Sequence, residues 1–399
     1  MDFSFTEEQE LFRKSVRVFC EERIAPRADE IDEKGEIPRD LLEEMGAFGL
    51  PGITISREFG GSESGFIRAA IVAEEIARAE MSMAAAVYYL VGAGWGFLIN
   101  RYGTRGLQEE VLPDVVKGKT FLGIASTEAT GGSDISSLST RLEKKGEGLL
   151  VNGSKAYISG VREAAEYGGG FVTLTKSDPE AGHKGLSLCY LPVKDQSGVS
   201  VSVSRQMGRE GISNGFIKMS DVEIPGYYLI GEWNKGFYYA MEGFNCARTL
   251  VAAACIGASE KVFEKGIEHI KKRKAFNSPL AKFEGIQFNL AENYVRLESA
   301  RLLVYKAAWL LDRLYSGNTA GHQEINKAVA AAKLNAPTVA FDIIKDVMLW
   351  HGAFGYTKEA GLERGLRGVA SYIVGAEGAQ NIMKIIIGRE ILGKEFSPV

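Results

Sequence analysis

Cysteine is sparse in this chain. Four residues, Cys20, Cys189, Cys246 and Cys255, stand among 399, with no CxxC pair and no framework of the secreted type. That spacing argues against a disulfide scaffold or a thiolate metal site and points to buried structural thiols. The four histidines are scattered, so no cluster has metal-ligand spacing and no metal is expected. A basic block is missing as well. Lys and Arg number 47 against 51 Asp and Glu, a formal charge of −4. Nucleic acid is therefore not expected as a partner, since phosphate binding needs clustered cations, whereas a local basic pocket for a phosphorylated cofactor fits the balance. No apolar run reaches the roughly 18 residues of a membrane span. The opening Met1-Asp2-Phe3-Ser4-Phe5 lacks the basic start and apolar stretch of a secretory signal. The expectation is a cytoplasmic chain with no membrane insertion.

The common nucleotide loops are absent too. Gly118-Lys119-Thr120 ends like a phosphate loop, but Pro113 stands where its first glycine is needed. No GxGxxG opens a helix after a strand, so a dinucleotide site of the doubly wound kind has no support. Asn152-Gly153-Ser154 has the form of a glycosylation sequon, which in a cytoplasmic chain is only a turn. A cofactor, if bound, uses a less common site.

What is present is a globular composition, 45% hydrophobic and 25% charged. The length exceeds one typical core and suggests two or three packed units. Residues 1–120 read as helical. Thr6 and Gln9 form a capping box, and Phe12, Val16 and Phe19 share a face. A second helix opens at Pro38, buries Leu41, Leu42, Met45 and Phe48, and is stopped by Pro51. A later one carries Ile71, Glu74, Glu75 and Ile76. Residues 121–232 change to period two. Leu149 to Val151 precede a tight turn at Asn152-Gly153, then Ala156 to Ile158, with further strands near Phe171–Thr175, Gly185–Leu191 and Val199–Ser204. Residues 233–399 return to helical spacing at Phe283, Ile286, Leu290, Tyr294 and Leu297. An alanine-rich helix from Lys327 to Lys333 and a last helix from Ala379 to Leu392 follow. The expected architecture is α+β and multidomain: helices, an antiparallel β-barrel or sandwich, then a helical bundle.

Thr127-Glu128-Ala129-Thr130-Gly131-Gly132-Ser133-Asp134 is the most informative segment. Paired glycines allow close backbone approach to a flat or anionic ligand, and the hydroxyls offer hydrogen bonds. Alone it reads more readily as a turn. Other segments then fall in order: Asn152-Gly153-x-Lys155 with Ile158-Ser159, Met207-Gly208, Asp221-Val222-x-Ile224-Pro225, Gly231-Glu232, Asn245 with Arg248, Arg273-x-x-Phe276, Gln287, and Glu377-Gly378 followed by Ile382 and Arg389-Glu390. The ordered set resembles the acyl-CoA dehydrogenase family over essentially the whole chain.

The resemblance implies that family's fold, with a four-helix C-terminal bundle, and FAD as cofactor. It implies Ser126, Thr127, Gly132, Ser133, Tyr157 and Ser159 at the flavin, Gln287 as a further FAD contact, and Arg273 and Phe276 at the FAD of a neighbouring subunit in a homotetramer. For Tyr157 and Ser159 a plain core role is the alternative, and for Arg273 an exposed helix end. The acyl-CoA is implied to meet Ser133, Asn245, Arg248, Leu90, Val91 and Gly378. Electrons are implied to pass to an electron-transferring flavoprotein.

The resemblance also implies Glu377 as the catalytic base. That role is chemically coherent: the α-hydrogen of a thioester is a weak acid, and a carboxylate desolvated after Ile373-Val374-Gly375-Ala376 is a stronger base. A glutamate serving a helix N-terminus is the bland alternative. The family's other position for the base is Ala247 here, which cannot act. Leu349 stands where the family has a glutamine near adenosine, and Gly368 follows Arg367 where the family has Asp. The acyl pocket is aligned with Val87 to Val91 and Trp95. It holds no Arg for a distal carboxylate and no remote acid, and its aromatics fit a short, branched or cyclic acyl group. Two other readings on this fold are a flavin oxidase or enoyl-CoA reductase, and a non-catalytic flavin-binding member.

Overall fold

The computed structural model of the chain describes residues 4–317 and 321–396. Helix α1 (Glu7–Phe19) starts at Thr6, whose hydroxyl accepts from Gln9 N at 3.2 Å while the Gln9 side chain accepts from Thr6 N at 3.0 Å. Two unsatisfied amides are thereby paired at the helix start. Helices α2 (Ala28–Lys34) and α3 (Arg39–Phe48) follow. Leu41, Leu42 and Met45 are buried as expected, but Phe48 lies at the surface, stacked on Phe19 at 4.4 Å. Gly49, at φ 90°, ends the helix before Pro51 is reached, because a left-handed residue satisfies the last carbonyls by itself.

Helices α4 (Gly65–Ala79), α5 (Ala84–Tyr102) and α6 (Arg105–Val116) complete the first unit. Helix α5 is buried on nearly every side, as an all-round apolar helix must be.

The middle unit is an eight-stranded sheet: β1 (Phe121–Ala125), β2 (Arg141–Lys145), β3 (Gly148–Ser159), β4 (Gly169–Lys176), β5 (Leu186–Pro192), β6 (Val199–Ser204), β7 (Asn214–Pro225) and β8 (Leu229–Ile230). A short helix, α7 (Val161–Tyr167), sits between β3 and β4. The order is β6-β7-β3-β2-β4-β5-β8, with β1 on β4. Most pairings are antiparallel, but β1 runs parallel to β4 from Phe121↔Gly169 to Ala125↔Thr173. A parallel pair needs a long connection, and residues 126–168 supply one. Asn152-Gly153 is not a turn. It lies inside β3 at a register shift against β7, where Asn152 accepts from Asp221 N at 2.7 Å and donates to Asp221 Oδ1 at 3.1 Å. A Cβ at Gly153 would meet Thr140 Cα at 2.6 Å, so glycine here permits a bulge. The hairpin between β2 and β3 turns instead at Gly146, φ 59°.

The third unit holds α8 (Gly236–Lys272), the small hairpin β9 (Lys274–Ala275) and β10 (Ser278–Pro279), α9 (Glu284–Tyr315), α10 (His322–His351), α11 (Leu362–Val374) and α12 (Gln380–Leu392). Helix α10 packs against α8, α9, α11 and α12, and α8 also packs against α4 and α5. Tyr294, expected on the inner stripe of α9, faces outward. Between α1, α4 and α9 the buried carboxylates Glu74 and Glu75 meet Arg13, Arg17, Arg301 and the Tyr305 hydroxyl. Buried charge of this kind persists only when paired. Among the described residues no helix is long and apolar enough to cross a membrane.

Candidate active site

The loop after β1 is fastened to β3 by one buried ion pair. Glu128 accepts from the amides and hydroxyls of Ser139 and Thr140 at 2.6–2.8 Å and from Lys155 Nζ at 3.1 Å. Lys155 also donates to the Ser126 carbonyl at 3.2 Å, and Ala156 N donates to Thr127 O at 2.9 Å. Burial pushes the Glu128 carboxyl up, but Lys155 and the hydroxyls outweigh it and bring it down to about 2. Ser126 and Thr127 are thus held beside the end of β3.

There a cavity of about 440 Å³ opens between the sheet and the third unit. Ser126, Thr127, Gly132, Ser133, Tyr157 and Ser159 line one part of it; Arg248, Glu377 and Gly378 line another, and Val91 contributes from α5. Tyr157 has φ 59° and is 62% exposed, with its carbonyl held by Asn214 Nδ2 at 3.1 Å. That conformation is costly outside glycine and persists where the surroundings impose it. The hydroxyls of Ser126, Thr127 and Ser133 have no protein partner among the described residues. An exposed aromatic face beside free hydroxyls and a glycine loop fits a flat heteroaromatic ring rich in hydrogen-bonding groups.

Glu377 lies in the connection between α11 and α12, three residues ahead of the latter. Its carboxyl is buried, and burial pushes its pKa up against the opposing pull of Arg248, Lys333 and Arg209. Arg248 Nε donates to the Glu377 carbonyl at 2.7 Å, and its Nη1 reaches Asn245 Oδ1 at 3.4 Å. Burial lowers the Arg248 guanidinium to about 10, which leaves it charged at neutral pH. Asn245 is in turn held by Asn326 at 2.9 Å. Ala247 is buried and carries no functional group.

The cavity does not gather every expected residue. Leu90 is buried beside Val91 but does not line it, and Asn245 touches it only through Arg248. Arg273, Phe276 and Gln287 lie outside it on the surface, with Phe276 92% exposed at the tip of the β9–β10 hairpin. Sequence reasoning passed over Phe244, Ile124 and Ile135, all lining residues, while Val374 and Ile382, quoted with the Glu377 segment, line the cavity as well. It also passed over Lys333, whose ammonium is buried against the Tyr372 and Gly375 carbonyls at 2.8 and 3.1 Å and the Gly378 carbonyl. One signal was available: a lone lysine beside Val329, Ala332 and Ala336 on an apolar stripe.

Family models match nearly the whole chain. The acyl-CoA dehydrogenase N-terminal domain matches residues 6–119, the middle domain residues 123–222 and the C-terminal domain residues 234–392. The chain belongs to the acyl-CoA dehydrogenase family, FAD-dependent oxidoreductases acting on CH–CH bonds. It is 33% identical to a 3-(aryl)acrylate reductase of Clostridium sporogenes, over 97% of this chain and 99% of the relative. It is 32% identical to the short-chain specific acyl-CoA dehydrogenase of Clostridium acetobutylicum, over 98% and 100%. The solved butyryl-CoA dehydrogenase of Megasphaera elsdenii superposes with a TM-score of 0.89 at 27% identity, covering 98% of this chain and 100% of that one.

Proposed function

We propose that the chain oxidises an acyl-CoA thioester between Cα and Cβ to the 2-enoyl-CoA, with a short, branched or cyclic acyl group. The observation that carries this reading is Glu377, a buried carboxyl of raised pKa in the same cavity as the hydroxyl and glycine wall. FAD, when bound by Ser126, Thr127, Gly132, Ser133, Tyr157 and Ser159, supplies the acceptor for the β-hydride. Glu377 removes the α-proton, and its ionised form is the active one. The backbone N–H of Glu377 has no protein partner among the described residues, so it is free to donate to the thioester carbonyl as negative charge develops there. Arg248 holds the carbonyl of the same residue, which fixes the orientation of both groups. Val91 and Phe244 add apolar lining to the cavity, in keeping with an acyl group.

The reverse reaction is a second reading, favoured by the reductase name of a similar protein. For that direction Glu377 returns the proton to Cα. We further infer a homotetramer in which Arg273 and Phe276 complete the FAD site of a neighbour, since Phe276 at the β9–β10 tip and a row of apolar side chains along α9 are left exposed in the single chain. An electron-transferring flavoprotein is the expected redox partner.

The test is anaerobic flavin bleaching across a panel of saturated and enoyl-CoAs. Bleaching by a short or branched saturated acyl-CoA supports the reading. Flavin that is bleached by none, while its reduced form is rapidly reoxidised by an enoyl-CoA, moves the assignment to the reductase direction.

A further inference from the structure

Lysine is among the costliest side chains to bury, and Lys333 is fully buried. It makes no ion pair among the described residues; its acceptors are the backbone carbonyls of Tyr372, Gly375 and Gly378. The first belongs to the last turn of α11, where unpaired carbonyls and the helix dipole favour a cation. The other two flank Glu377 on either side. Arg248, from α8, takes the carbonyl between them. Two buried cations from two helices therefore grip three carbonyls within four consecutive residues. Gly378, at φ 105°, completes the bend, and a Cβ there would meet Met383 Cε at 2.9 Å.

We propose that Lys333 is a positioning residue for the reaction, fastening the 375–378 turn so that the Glu377 carboxylate and its backbone N–H reach the thioester together. The inference rests on Glu377 being the base. Three carbonyls require three N–H donors, which only the protonated ammonium supplies; the neutral amine has two and must release one. Burial lowers Lys333 to about 8, against the pull of Cys255 and Glu377 and with the push of Arg248. The charged and titratable groups facing Glu377 are Arg248 from α8, Lys333 from α10, Tyr372 from α11 and Arg209 from the segment before β7. Removing the Lys333 charge thus has a definite sign. The Glu377 carboxyl moves further up, and the acid limb of the rate profile moves to higher pH.

The experiment compares the FAD-loaded parent with Lys333→Met, Lys333→Arg and Glu377→Gln in single-turnover flavin reduction between pH 5.5 and 9, and follows hydrogen exchange of the 372–375 amides, hydrogen-bonded in the last turn of α11, in the parent. Lys333→Met should reduce flavin tenfold to a hundredfold more slowly, with the acid limb displaced upward. Lys333→Arg should return the limb toward its parent position even where the rate stays low. In the parent, protection of these amides should fall as pH rises through the lysine titration, beyond the ordinary base dependence of exchange. A folded Lys333→Met with a rate within threefold and an unmoved limb overturns the proposal. If neither variant folds, constant protection of these amides from pH 7 to 10 overturns it instead. Glu377→Gln separates the two readings. Parent-like activity there sinks the base assignment, while an inactive Glu377→Gln beside a silent Lys333→Met sinks only the positioning role.

Discussion

At the scale of single residues, two carboxyls of the candidate site are driven in opposite directions by burial and partners. Glu377 is pushed up by burial, so its basic form is populated only above a pH higher than an ordinary carboxylate needs. Flavin reduction should therefore fall on acidification from a midpoint above 4.5, the ordinary glutamate value. Stopped-flow rates against pH check this. Glu377→Gln keeps the shape and the backbone N–H and removes the proton acceptor. The rate should drop about 10²–10⁴-fold, with FAD content unchanged. Ala247 offers no substitute carboxylate, so a rate within tenfold of the parent excludes Glu377 as the base. Glu128 is the opposite case, held at about 2 after Lys155 and the hydroxyls overcome burial. Its folded pKa is depressed, so its stabilisation is present above the unfolded value and is lost as pH falls from 4.5 toward 2. Glu128→Gln leaves Lys155 buried without its countercharge and should cost about 3–5 kcal/mol in chemical denaturation. Adding Lys155→Met should recover part of that loss.

At the scale of elements the structure depends on close helix approach. A Cβ on Gly257 of α8 would sit 1.9 Å from the Glu74 carbonyl of α4. Gly257→Ala must separate the two helices and strain the buried Glu74–Arg301 contact. A loss of about 1–3 kcal/mol, seen as a lower melting temperature, is expected. The order of helices, strands and helices was legible in the sequence because periods of 3.6 and 2 reflect one buried face. What misled was local chemistry with two solutions. Asn152-Gly153 suits a tight turn, yet pairing with Asp221 across β7 turns it into a bulge. Phe48 fits an inner stripe, but it stacks on the half-buried Phe19 at the rim of the core and stays exposed. Strand β7 was not singled out despite its alternation, since its residues had been read as a motif. In the site, Thr127 to Ser159, Arg248 and Glu377 were legible through ordered motifs. Phe244, Ile124 and Lys333 were not, because their contribution comes from packing between elements distant in sequence.

At the scale of the whole molecule, one protomer leaves apolar surface unused. Phe288, Val295, Leu302 and Trp309 are exposed and recur every seven residues along α9, the spacing of a seam that packs against another helix. Phe276 projects from the hairpin that follows α8. If Arg273 and Phe276 complete the FAD site of a neighbour, cofactor retention and assembly are one property. Arg273→Ala should then lose FAD on dilution while keeping its fold, as read by circular dichroism and gel filtration of the holoenzyme. Co-expression supplies the decisive version. A Glu377→Gln subunit lacks the base but offers an intact Arg273; an Arg273→Ala subunit keeps its own Glu377 but gives its neighbour nothing. In a mixed assembly the Arg273→Ala subunit receives Arg273 from its Glu377→Gln partner, so one site in such a pair regains both base and cofactor contact. Mixed assemblies should show more flavin reduction than the sum of the two homogeneous variants, approaching a quarter to a half of the parent per subunit. Activity equal to that sum means each site is built within one chain, and Arg273 acts only at its own surface.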